Sequence, residues 1–317
     1  MNIVYLGSGR FGLPSLEAIA GSRHKITLVI TQLAKPVGRG LKLAHTPAAN
    51  WAFEKSIPVI ETADVNAADV AEKIKRCGPD LIVVIAFGQK IGVEVTGIPP
   101  KGTINVHGSL LPKYRGAAPI NWAIVNGEVE TGVTIITVAG KMDAGEMLAQ
   151  AKTPICWDQT ADELSEDLAK LAAPLLVETI DKIESGTAQY VKQDESQATR
   201  APKMKKSDGF LDWNLPAEVL RRKILGFWPW PGASALFQSQ KTGKQERVIF
   251  AKTEVLPMVN RPDETPGTLD ENLNVICGKG RLQILELKPE NSRQMSFADF
   301  IHGRRVSPGD LFIKIEA

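Results

Sequence analysis

Apolar residues recur at two spacings along this chain, and each spacing predicts a different element. Short runs at residues 2–6, 26–31, 81–87, 103–107 and 133–138 are mostly rich in Ile and Val, as buried strands are. Between them, residues 14–20, 46–55, 67–76 and 119–126 carry helical patterns. That alternation predicts an α/β fold, with an open, mostly parallel sheet covered by helices on both faces. A longer helix is predicted from 160 to about 184. There Leu164, Leu168, Leu171, Leu175 and Ile183 are spaced for one buried face, and Ser185 and Gly186 form the stop.

After residue 186 the pattern breaks. The stretch "TAQYVKQDESQATRAPKMKKSDG" is polar, poor in large apolar residues and studded with Lys and Arg, and reads as a linker. A helix at 217–227 follows, then "WPWPGAS", then strand-like runs at 233–237, 247–254, 274–277 and 282–287 separated by turn residues. Runs of that length and spacing predict a small β-barrel. The expected organisation is a first domain over 1–186, a basic linker over 187–206 and a second domain over 207–317. A length of 317 residues agrees, because one core rarely grows so large.

Bulk composition narrows the class. With 43% hydrophobic and 23% charged residues, this is the composition of a soluble globular protein. A net charge of +2 does not announce a nucleic-acid partner; only a local basic patch would. Cys77, Cys156 and Cys277 lie far apart with no CxxC pair, which argues against disulfides or a zinc site and for a reducing compartment. The start "MNIVYLGSGRFG" has no basic segment before an apolar one, and no run approaches the ~18 apolar residues of a membrane span. The expectation is a cytoplasmic protein, with no membrane attachment and no obligate protein partner.

The chemistry concentrates in "INVHGSLLPKYRG", residues 104–116. Ile104 and Val106 alternate with Asn105 and His107, so an amide and an imidazole share one strand face just before the chain breaks at Gly108. One reading is a strand end whose polar face meets water. The other is an active site at a sheet edge, where open α/β proteins hold their ligands. Asp143, in the turn "AGKMDAGEML", would complete a set of amide, imidazole and carboxylate. A rival lies at "GSGRFG", residues 7–12, which matches a dinucleotide-binding fingerprint after a first strand. That fingerprint expects an acidic residue closing the second strand, where this chain has "VITQLAK"; Lys35 or Arg39 would suit the extra phosphate of NADP, which weakens the rival without removing it. The histidines at 24, 45, 107 and 302 are scattered, so no metal site is expected.

"INVHGSLLPKYRGAAPI" followed by "MDAGEML" resembles the signature of the folate-dependent formyltransferases. The likeness continues through "RAPKMKKSDGFLDW", "WPWPGAS" and "FADFIHGRRVSPGDLF", which are similar to the linker and C-terminal domain of the branch acting on charged initiator tRNA. The resemblance implies a Rossmann-like catalytic domain and a C-terminal, tRNA-binding, OB-like β-barrel. It implies 10-formyltetrahydrofolate as co-substrate and initiator methionyl-tRNA as acceptor, with another amine, such as an amino-sugar nucleotide, as the alternative. Asn105, His107 and Asp143 match the catalytic set. Phe87 and Gly88, with Ser109, Leu110, Leu111 and Pro112, match the folate pocket. The resemblance makes "KPVGRGLKLAH" the loop that meets tRNA, with Lys35, Arg39 and Lys42, and the linker cations Arg200, Lys203, Lys205 and Lys206 extend that expectation. A pure nucleic-acid-binding module would explain the cations but leave Asn105, His107 and Asp143 idle. Departures are local: Gly7-Ser8-Gly9 stands where the family commonly has Gly-Thr-Pro, and Leu33-Ala34 where it has Pro-Asp.

Overall fold

A computed structural model gives the structure of the protein and describes residues 1–37, 42–257 and 261–316. The chain divides into two compact units that exchange segments. The first holds Met1–Pro119, Glu130–Pro154 and Ser165–Ala201; the second holds Ile120–Val129, Ile155–Leu164 and Pro202–Ala317.

The first unit contains strands β1 (Asn2–Gly7), β2 (Lys25–Thr31), β3 (Lys35–Val37), β4 (Lys42–Ala44), β5 (Val59–Glu61) and β6 (Leu81–Ile85). Further along come β7 (Thr103–His107), β8 (Arg115–Gly116), β9 (Glu130–Thr137), β10 (Met147–Pro154) and β11 (Arg200–Ala201). Its helices are α1 (Leu13–Ala20), α2 (Pro47–Glu54), α3 (Ala68–Arg76) and α4 (Val93–Thr96). α5 (Pro119–Val125) falls almost wholly in the second unit, and α6 (Ala161–Ser185) starts there and runs on into the first. The main sheet has the order β10-β9-β7-β6-β1-β2-β5. β1, β2, β5, β6 and β7 are parallel, whereas β9 runs antiparallel to both β7 and β10.

The elements follow from local chemistry. The hydroxyl of Thr46 caps α2 by accepting the Ala49 N–H at 3.2 Å, and Pro47 opens the helix where an N–H would have no partner. Val70 and Ile74 of α3 and Val95 of α4 bury against Val4, Leu6, Ile30, Ile82 and Val84 of the sheet. Asn105 pairs in register with Val84, so the pleat places its side chain on this same face. The apolar layer covering β1 and β6 thus gives way at β7 to an amide and, two residues on, an imidazole.

The second unit is built from α7 (Ala217–Phe227), β12 (Ser234–Gln238), β13 (Gln245–Leu256), β14 (Val275–Ile276), β15 (Arg281–Pro289), β16 (Met295–Ser296), α8 (Phe297–Arg304) and β17 (Leu311–Ile313). The strand order is β14-β15-β13-β12-β17, all antiparallel. Bridges from Thr268 to Leu311 and from Leu269 to Val275 tie the two edge strands, so the sheet is a nearly closed barrel as predicted. Its interior is aromatic: Phe237 meets Phe300 at 5.1 Å and Phe250 meets Phe312 at 5.2 Å between ring centroids.

Three differences from expectation have physical reasons. β10 is an edge strand with a half-exposed, weakly apolar sequence, so no apolar run announces it. Residues 187–201 are not a free linker: β11 pairs in parallel with β8, and Arg115 N–H donates to Thr199 O at 2.9 Å. Order there comes from hydrogen bonds rather than from buried apolar area, which is why hydrophobic patterning misses it. Finally, α6 buries Leu176 and Ile180 rather than Leu175.

Candidate active site

Asn105 and His107 project from β7 on one face, and Asp143 reaches His107 from the loop after β9. Ile104 pairs with Thr137 and Val138 N–H donates to Thr103 O at 2.9 Å, so that loop leaves at the start of β7. It must therefore fold back along the strand to bring Asp143 beside His107. Asp143 Oδ2 lies 3.7 Å from His107 Nδ1, both side chains being largely buried. The site thus runs along the face of β7 and is not confined to the sheet edge.

The protonation pattern of His107 is set by its other nitrogen. Nε2 lies 2.9 Å from Tyr114 O, and a carbonyl can only accept, so Nε2 carries a hydrogen. Nδ1 is left as the nitrogen that gains or loses a proton, and it faces the carboxylate. Asp143 Oδ2 is fixed by the Gly116 N–H at 2.9 Å. Asn105 is half-buried, and among the described residues no group bonds its side-chain amide. The site therefore offers a neutral donor beside a proton-handling imidazole and a fixed negative charge.

The turn that follows β7 is held from three sides. Ser109 Oγ donates to Lys113 O at 2.7 Å, Thr134 Oγ1 donates to Ser109 O at 2.6 Å, and Gln150 Nε2 donates to Leu111 O at 2.8 Å. Ser109 and Leu111 are buried while Leu110 and Pro112 are half-buried, so the segment expected to line the folate pocket presents alternate residues. Gly116, at φ 131°, allows β8 to approach β11: a Cβ there would lie 2.3 Å from Ala201 O.

Phe87 and Gly88 close β6. The Phe87 ring is buried in the apolar layer, and its carbonyl accepts from Gln32 Nε2 at 2.9 Å. Gly88 is exposed at φ 78°. The glycines of "GSGRFG" have a different explanation from the one the fingerprint suggests. A Cβ on Gly7 would lie 2.5 Å from Tyr5 Oη, and one on Gly12 would lie 1.8 Å from it. They clear space for a tyrosine buried beneath the turn.

The basic residues divide. Lys35 is exposed, and its Nζ donates to Gln32 Oε1 at 3.1 Å. Arg39 lies outside the described residues, and Lys42 opens β4, which pairs with β3, making the expected loop the arms of a hairpin. Arg200, Lys203, Lys205 and Lys206 are all exposed. Arg221, the first of three consecutive cations with Arg222 and Lys223, is buried, lies 3.9 Å over the Trp157 ring and donates to Trp157 O at 2.8 Å. Among the described residues, His24, Asp181 and Glu184 place three potential metal-ligand atoms within 4.8 Å of one another, a grouping that sequence spacing did not show. Arg23 already pairs with both carboxylates at 2.7 Å, and the Met1 ammonium pairs with Glu184 at 3.3 Å.

Sequence reasoning also missed the residues that hold the Asp143 loop. Gln193 Nε2 donates to Asp143 O at 2.7 Å and to Gly145 O at 2.8 Å, and Gln193 Oε1 accepts from Arg115 Nε and Nη2 at 3.0 and 2.8 Å. Arg115 Nη2 also pairs with Glu195 at 2.7 Å, and Lys141 with the same carboxylate at 2.6 Å. The Arg115 guanidinium, with Lys141 beside it, holds the Glu195 carboxyl down to about 2. Nothing in spacing or composition links residues fifty positions apart, so no sequence signal marked Gln193.

Comparison with known proteins identifies the family. The formyl transferase family model matches residues 1–180 and the formyl transferase C-terminal domain model matches residues 203–305, so the chain belongs to the formyl transferase family. Its similar curated relatives are more particular. The methionyl-tRNA formyltransferase of Acetivibrio thermocellus is 40% identical over 98% of this chain and 99% of its own. That of Citrifermentans bemidjiense is 39% identical over 100% of this chain and 98% of its own. Among solved structures, an N-formyltransferase from Helicobacter canadensis bound to folinic acid and dTDP-3-aminofucose has a TM-score of 0.64 at 18% identity, covering 92% of this chain and 99% of its own. HypX from Aquifex aeolicus in complex with tetrahydrofolic acid has a TM-score of 0.60 at 20% identity, covering 94% of this chain and 46% of that one. At such identities these two share the fold.

Proposed function

We propose that this protein transfers the formyl group of 10-formyltetrahydrofolate to the α-amino group of methionyl-tRNA(fMet), in the cytoplasm, for translation initiation. The observation that carries the reading is 40% identity across 98% of the chain to a methionyl-tRNA formyltransferase; an amide and an imidazole on one strand face, with a carboxylate 3.7 Å from the imidazole, support it. The amine attacks the formyl carbon, a tetrahedral intermediate with an oxyanion forms, and the bond to the folate nitrogen breaks. One proton leaves the amine and one reaches the folate nitrogen, so the proton count balances. The Asn105 amide donates to the oxyanion without titrating, a contribution worth about 10²–10³ in rate when preorganised. His107 Nδ1 relays the proton, and Asp143 orients the ring and stabilises its charged form.

In this reading Phe87, Gly88 and residues 109–112 line the folate site. The exposed cations Lys35, Arg200, Lys203, Lys205 and Lys206, together with Arg39 and Lys42, meet tRNA phosphates, which supply affinity and salt dependence rather than base readout. The reaction requires neither a metal nor a protein partner. The test offers 10-formyltetrahydrofolate with charged initiator tRNA in one tube and with an amino-sugar nucleotide in another. Formyl transfer to the tRNA alone is expected; transfer to the sugar alone would replace this acceptor by the alternative.

A further inference from the structure

Asp143 sits in a loop with little to hold it. Met142 is 70% exposed, Gly140 and Lys141 are exposed, and Asp143 itself has φ 51°, a left-handed conformation that a non-glycine residue keeps only under outside constraint. The constraint comes from residues 114–116 and 193–195. Tyr114 O holds His107 Nε2, and Gly116 N–H holds Asp143 Oδ2, so adjacent peptides grip both partners. The Arg115 side chain between them passes that grip to Gln193, whose amide clamps the carbonyls on either side of Ala144.

All four hydrogen-bonding positions of the Gln193 amide are used, two as donors to carbonyls and two as acceptors from a buried guanidinium. The arrangement admits one orientation only, because Arg115 cannot accept and the carbonyls cannot donate. It also requires an amide: a carboxylate would keep the arginine and lose both bonds to the loop.

We propose that Gln193 is a positioning residue that, together with Arg115, fixes the Asp143 loop and so sets the gap between the Asp143 carboxylate and His107 Nδ1. Its role in catalysis rests on the formyl-transfer reading above, whereas its role in ordering the loop does not. The informative variant is Gln193→Glu, which keeps an acceptor for Arg115 and removes only the clamp; Gln193→Ala removes both.

The experiment has two readouts on the full chain. Hydrogen exchange of amides 139–146 should speed up in Gln193→Glu, while the thermal midpoint stays at the parent value. In formyl transfer with charged initiator tRNA, kcat should fall by about 10²-fold, the cost of a ~1 Å misplacement, with KM for the folate unchanged. In an Asp143→Asn background the same Gln193→Glu change should cost no further activity, because the clamp acts through Asp143. Unchanged exchange in the loop, or a full additional loss in the Asp143→Asn background, would overturn the proposal. A parent chain that transfers no formyl group to tRNA would overturn the acceptor reading instead, and the exchange measurement would still decide whether Gln193 holds the loop.

Discussion

Replacing Gly12 with Ala should destabilise the first unit, and Tyr5→Phe should cancel most of that loss. Gly12 has an ordinary backbone (φ −84°), so the cost is one of space alone. A Cβ there would lie 1.8 Å from Tyr5 Oη, a distance no pair of heavy atoms can keep, and the surroundings are fully buried. Overpacking of this kind costs about 1–3 kcal/mol. Removing the hydroxyl leaves the ring Cζ at 3.1 Å as the nearest atom, a tight contact that small shifts relieve, so Gly12→Ala should cost less than ~1 kcal/mol in that background. Tyr5→Phe alone should stabilise by roughly 1 kcal/mol, because among the described residues the buried hydroxyl has no hydrogen-bond partner and its desolvation is uncompensated. Urea unfolding of the parent, both single variants and the double variant, followed by far-ultraviolet circular dichroism, gives the coupling, expected at about 1–2 kcal/mol. Equal costs for Gly12→Ala in both backgrounds would refute the packing account. Micromolar binding of NADH or NADPH to the parent would restore the dinucleotide reading of these glycines.

Other expectations follow from charge and burial. Burial pushes the Cys277 thiol up to about 12, whereas Cys156 is exposed, so native protein treated with a thiol-specific disulfide reagent should label Cys156 first and Cys277 only on unfolding. Arg115 and Lys141 lower the Glu195 pKa from 4.5 to about 2, so its pairing stabilises the fold above pH ~4.5, and that contribution fades as the pH falls toward 2. The difference in thermal midpoint between the parent and Glu195→Gln should therefore be constant near neutrality and vanish near pH 2; a difference independent of pH would contradict the assignment. Arg39→Ala should weaken charged-tRNA binding and flatten its log–log salt dependence by about one unit, with folate binding unchanged.

What the sequence revealed and what it hid separate along physical lines. β7 was legible to its ends because strict alternation from Thr103 to His107 encodes a strand with one polar face, and α7 because its apolar face repeats at helical spacing. Asn105 and His107 were legible as a pair for the same reason, since a period of two puts them side by side. Asp143 was legible as a candidate from its turn, but only the resemblance to a family motif joined it to the pair, because the fold-back of its loop depends on register with β9. Gln193, Arg115 and Thr199 were hidden: they act through hydrogen bonds between distant segments and leave no hydrophobic trace. Arg221 shows the converse, a charge that reads as a surface cation and is in fact stacked on Trp157. Gly7 and Gly12 matched a binding fingerprint because a tight strand-to-helix passage over a buried ring needs the same absent side chains as a pyrophosphate does.

The central claim is that Asn105, His107 and Asp143 act on a formyl group passing from folate to the amine of methionyl-tRNA. The most direct measurement is single-turnover formylation of charged initiator tRNA, with 10-formyltetrahydrofolate saturating, for the parent, Asn105→Ala, His107→Ala and Asp143→Asn. The account predicts rapid transfer by the parent and a loss of about 10²-fold or more in each variant, with folding intact by circular dichroism. Transfer by Asn105→Ala or His107→Ala at the parent rate would contradict it.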